Sequence, residues 1–112
     1  MEIDRADTSL GTPKHALRVA CADTFPHSYK RVGEEDSHAH SANTGLMDPL
    51  IRADAVFYEV AGGGAVFSTG SIAWASNLPD DNYSSTVARM TQNVIERFAS
   101  PQLLGPPSTS RL

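Results

Sequence analysis

Residues that usually announce a chemistry are scarce in this chain. Cys21 is its one cysteine, so an internal disulfide is impossible and a thiolate cage for zinc is excluded. A single unpaired thiol suits a reducing, cytoplasmic setting. No apolar run approaches the roughly 20 residues that cross a bilayer. The opening MEIDRADTSLG lacks the basic start and apolar stretch of a secretory leader, so a soluble chain is expected. Basic residues are also few, and the formal net charge is −4. Without a basic cluster interleaved with aromatics, neither nucleic acid nor a membrane surface is expected as a partner. Hydrophobic residues make up 40% of the 112, enough for one domain with a modest core.

What is there comes in short pieces. Gly11-Thr12-Pro13 reads as a turn. Ala16–Ala22, ALRVACA, is a run of small and β-compatible apolar residues. It is expected to be a buried strand, ended by Pro26. Ser28–Glu35 suggests one or two helical turns, weakened by Gly33. Glu34–Thr44 has no hydrophobic periodicity and reads as a solvated loop. Leu46–Ile51, with apolar residues around Asp48-Pro49, reads as a loop docked on the body.

The most structured stretch is Ala53–Trp74, expected to be two strands joined by a glycine-rich reversal. Alternation places Val56, Tyr58 and Val60 on one face and Phe57 and Glu59 on the other. Gly62-Gly63-Gly64 tolerate the positive φ angles of a tight turn. Apolar residues on both faces imply a sheet covered on both sides. Leu78–Tyr83 reads as a turn, and Ser84 or Ser85 as the cap of a helix. Val87, Met90, Val94 and Phe98 form that helix's apolar stripe, widened by Ile95 and Ala99. Pro101 ends it. Residues 1–100 are expected to form the domain and 101–112 a disordered tail.

Several residues invite a chemical reading. His38 and His40, two apart on an extended backbone and preceded by Glu34, Glu35 and Asp36, could grip one metal ion. The plainer reading is a hydrophilic loop that contains two histidines. A phosphate-cradling glycine loop leads from a strand into a helix, whereas Gly62–Gly64 lie between two strands, so a turn is expected. Ser68, Ser71 and Cys21 are nucleophile types. Ser71 does not fit the Gly-x-Ser-x-Gly elbow, and a thiol inside an apolar strand is usually inert packing. His27, expected near the C-terminal end of a strand where α/β sheets bind ligands, is the best single candidate for a catalytic residue. A surface or hydrogen-bonding role is its plainer reading. Trp74 and Tyr83 read as core or interface anchors.

Several segments, taken in order, resemble one family. They are Glu2-Ile3-Asp4-Arg5, Leu10-Gly11-Thr12-Pro13, the ALRVA strand, and His27-Ser28 with Tyr29, Val32 and Glu34-Glu35. The strongest are Ala53–Glu59, Gly63–Trp74, and Asn93–Phe98. Together, over about residues 1–100, they resemble the C-terminal domain of the N,N-dimethylformamidase large (beta) subunit. The resemblance implies an α/β fold: part of a three-layer domain like the class I glutamine amidotransferases, with a C-terminal β-hairpin followed by a helix and a parallel-type sheet. It also implies hydrolysis of a small N-alkylated formamide to formate and an amine by a mononuclear iron. The iron is held by tyrosine and glutamate side chains upstream of the matching stretch, so no such role passes to Tyr29, Tyr58 or Tyr83. The basic Tyr29-Lys30-Arg31, Gly33, and Cys21 in place of a serine or alanine depart from the family pattern.

The expected function is that of a fragment, structural and not catalytic alone, whose partner is the remainder of the large subunit, with a small subunit as a further one. The alternatives are an interaction module that pairs with itself or an upstream piece, and a small metal-dependent hydrolase using His38 and His40.

Overall fold

The computed structural model describes residues 2–31 and 48–105. His38, His40 and the acidic residues 34–36 lie outside these, as does the end of the tail from residue 106 onward.

Three strands form one antiparallel sheet in the order β1-β2-β3: β1, Leu17–Ala22; β2, Ala53–Glu59; and β3, Ala65–Ser68. The expected hairpin is present as β2–β3, with Phe57 opposite Phe67 and Val56 opposite Ser68. Its reversal uses positive φ at Gly62 and Gly63, +97° and +94°, and is closed by the Val60 amide donating to the Gly64 carbonyl at 2.9 Å. β1 pairs with β2 through Leu17 opposite Phe57 and Cys21 opposite Asp54, with a bulge at Val19. The described strands thus differ from the expected parallel-type sheet. For β2–β3 the reason is connectivity: a glycine turn reverses the chain at once, whereas a parallel neighbour needs a crossover of a dozen or more residues.

Helices cover one face of this sheet. α1, Ala73–Ser76, is a single turn; α2, Asp80–Tyr83, contains left-handed Asp81, Asn82 and Tyr83 and acts as the expected turn. α3, Thr86–Ala99, is the long helix. The Ser85 hydroxyl caps it by accepting from the Ala88 amide, which satisfies one of the free N–H groups of the first turn. It ends at Ser100, before Pro101. Trp74 stacks edge-on against Phe67 at 5.8 Å, and Phe98 meets Phe57 at 6.5 Å. The Trp74 indole N–H donates to the Thr91 hydroxyl at 2.9 Å, which donates in turn to the Val87 carbonyl. That relay fixes α1 to α3.

The opposite face carries Asp54, Val56 and Tyr58, and it is met by the N-terminal arm. The Asp4 amide donates to the Gly70 carbonyl, and the Asp54 amide to the Asp4 carbonyl. His15 meets the Tyr58 ring edge-on and reaches the Glu59 carbonyl at 2.7 Å. The loop expected to dock does so in its described part, burying Ile51.

The core among the described residues is thin. Its buried apolar members are Ala6, Ala16, Ile51, Ala55, Val56 and Ala88. Fully burying a Val or Ile side chain stabilises by roughly 1.5–3 kcal/mol, and an alanine contributes much less. Meanwhile Leu17, Ile95 and Phe98 are 45%, 62% and 46% exposed. The expectation of a buried first strand is also corrected. β1 is an edge strand, exposed at both ends, because no described residue pairs with its outer side.

Candidate functional site

The most fully built polar arrangement sits where β2 begins. Arg52 and Asp54 are two apart on extended backbone and so project to the same face. The Asp54 side chain is completely buried. Its Oδ2 accepts from the Arg52 Nε at 2.8 Å and from the Ala6 amide at 2.8 Å. Its Oδ1 lies 3.7 Å from the Arg18 guanidinium, and Cys21 is the residue opposite Asp54 across the strand pair. Arg52 continues the network, donating to the Ala6 and Pro49 carbonyls. One carboxylate therefore ties together the N-terminal arm, β1, β2 and the loop before β2.

A buried charge is tolerable only when paired and hydrogen-bonded. Asp54 meets that condition at Oδ2, through the Arg52 guanidinium and the Ala6 amide, while Oδ1 has the Arg18 ion pair but no hydrogen bond among the described residues. Gly70 lets the backbones close over it. With φ at +67°, a Cβ at Gly70 would lie 2.8 Å from the Asp54 carbonyl carbon and 2.9 Å from its amide nitrogen. Such separations are not tolerated by real side chains, so only glycine fits.

Cys21 is affected by its position. Desolvation of the thiol, and then the Asp54 carboxylate opposite, push its pKa above the ordinary 9.0. A thiolate is the reactive form, so Cys21, although exposed, is held as the less reactive thiol. Nearby, Asp7 accepts from the Ser9 hydroxyl and amide and pairs with the Arg5 Nε at 3.0 Å. Those bonds lower its pKa from 3.8 to about 2. A second buried pair, Arg31 Nε to Asp48 Oδ2 at 2.7 Å, joins the two chain ends that flank residues 32–47.

The residues singled out from the sequence are dispersed. His27 lies in an exposed turn after β1. Ser68 is the exposed last residue of β3. Ser71 is spent locally, its hydroxyl accepting from the Ala73 amide and donating to the Glu2 carbonyl, with no histidine among its partners. Gly62–Gly64 form the hairpin turn, and no helix follows them. Trp74 is an anchor between sheet and helix, while Tyr83 is 68% exposed. His38 and His40 fall outside the described residues. The Asp54 network escaped the sequence reading, although an aspartate interrupting an apolar β run, two residues after an arginine, is a signal for it.

Among the described residues, no three His, Cys, Asp or Glu side chains converge as metal ligands. The described residues thus gather no such His, Cys, Asp or Glu set for the iron that the family resemblance implies, whose ligands that resemblance places upstream of the matching stretch. Also among them, no helix is long and apolar enough to cross a membrane.

The fold and this network define a small α/β unit: a three-stranded antiparallel sheet with one long helix, clasped by a buried carboxylate. Over 97 residues the chain is 39% identical to the N,N-dimethylformamidase beta subunit of Paracoccus aminophilus and 34% identical to that of an Alcaligenes species. The resemblance seen in the sequence is therefore borne out. Each match covers 87% of this chain and 13% of the relative, so the chain corresponds to a fragment of those subunits. No family model matches the sequence.

Proposed function

We propose that this chain serves as the closing, C-terminal segment of an N,N-dimethylformamidase-like large subunit, with a structural role and no catalysis of its own. The observation that carries this reading is the similarity over 97 residues to 13% of the relatives' length. Two features of the chain support it. The best-built polar cluster, around Asp54, holds four segments together. The thin core and the exposed Leu17 and Phe98 suit a body completed by further chain. In this reading the parent fold is the glutamine amidotransferase-like three-layer domain, located in the cytoplasm. Amide hydrolysis there requires an activated water and a stabilised oxyanion, supplied by the rest of the large subunit with its iron; a small subunit is a further partner.

An assay of formate release from N,N-dimethylformamide tests the proposal. The chain alone is expected to release none above the uncatalysed background. Turnover by the chain alone, lost on replacing His27 or another of its own side chains, would overturn it.

A further inference from the structure

The sequence and the exposure of β1 disagree. Five of its six residues, Leu17, Val19, Ala20, Cys21 and Ala22, are apolar or nearly so, the composition of a strand inside a covered sheet. Yet β1 stands at the sheet edge, and among the described residues the backbone groups on its outer side have no partner. Edge strands that must face water are normally defended by charge or proline. Here the only charge, Arg18, is engaged by Asp54 on one face.

The other face of the same strand pair is open as well. Ala20, Ala22, Ala53 and Ala55 form the floor of a cavity of about 300 Å³, walled by Phe25 and Trp74. Phe98 of α3 meets Phe57 and Trp74 of α1 meets Phe67, and α3 borders the cavity over this floor through Val87.

We propose that β1 is an interior strand of a larger sheet, and that the strand pairing with its outer edge, with the apolar cover for the alanine floor, comes from the remainder of a dimethylformamidase-like large subunit. This rests on the closing-segment reading above and adds to it the surface used. The choice of occupant follows from length: the relatives carry 87% of their chain outside the matching segment. Main-chain bonds along the edge would supply affinity, and the shallow floor would accept the side chains of the covering layer.

The test mixes the full chain with the Paracoccus aminophilus beta subunit lacking its 97 matching residues, and reads amide hydrogen exchange by mass spectrometry. In the free chain the β1 amides that point away from β2 should exchange readily, and association should slow them at least tenfold. Ala20→Asp, on the floor, and Val19→Pro, at a bulge position without a β2 partner, should each weaken association at least tenfold. Circular dichroism of the free variants guards against misfolding, and Ala22→Asp serves if Val19→Pro does not fold. Ile95→Asp, on the exposed side of α3, should leave association unchanged. Association that leaves β1 exchange unaltered, or that is lost in Ile95→Asp alone, overturns the proposed surface while the closing-segment reading stands. Protection of those outward-pointing amides in the free monomer, or through self-association of this chain, also overturns it by naming another occupant. Absence of any association removes both readings together.

Discussion

Asp54 shows how one side chain can do the work of several contacts. Removing one partner of a buried ion pair typically costs about 3–5 kcal/mol, because the other charge is left without compensation. Asp54→Ala strands Arg52 and frees the Ala6 amide, so a loss of that order is expected in urea unfolding. Gly70→Ala should be comparably severe, since it meets both positive φ and the Asp54 backbone. A cavity-neutral change such as Ser68→Ala, on the exposed side of β3, should fall within about 0.5 kcal/mol of the parent. Asp7 makes a pH prediction. Its folded pKa, about 2, lies below the ordinary 3.8, so its stabilisation is complete above the ordinary value and is lost as pH falls through about 2. Acid unfolding of Asp7→Asn should lack that component. Cys21 should react with iodoacetamide along a pH profile displaced upward from that of a free thiol, and the displacement should shrink in Asp54→Asn.

Among the elements, α3 and the hairpin were the most legible in the sequence. The 3.6-residue stripe, the Ser85 cap and the terminating Pro101 agree with one another, as do the alternation of β2 and the glycines of its turn. Local rules suffice there because their deciding contacts lie within a few residues. Ser85→Ala should cost about 1 kcal/mol by leaving the Ala88 amide uncapped, read as a drop in the urea midpoint. Thr91→Val tests the relay from Trp74 and should cost about 1 kcal/mol, consistent with loss of one hydrogen bond. β1 was only half legible. Its strand character is local, but its burial depends on neighbours that the strand's own residues do not specify. The Asp54 network was missed for a similar reason. Arg52 is local to Asp54, but Ala6 and Arg18 are distant in sequence, and only the docked arm and the antiparallel β1–β2 register bring them to the carboxylate.

At the scale of the molecule, the N-terminal arm sets a constraint of its own. Asp4 is bonded to Asp54 and Gly70 simultaneously, so the seam between arm and sheet joins residues far apart along the chain. Contacts of that separation form slowly, since the intervening loop must be ordered first. During synthesis the stretch around Asp4 therefore waits, unmatched, until the hairpin has left the ribosome. A protease acting on nascent chains would find its target in that interval.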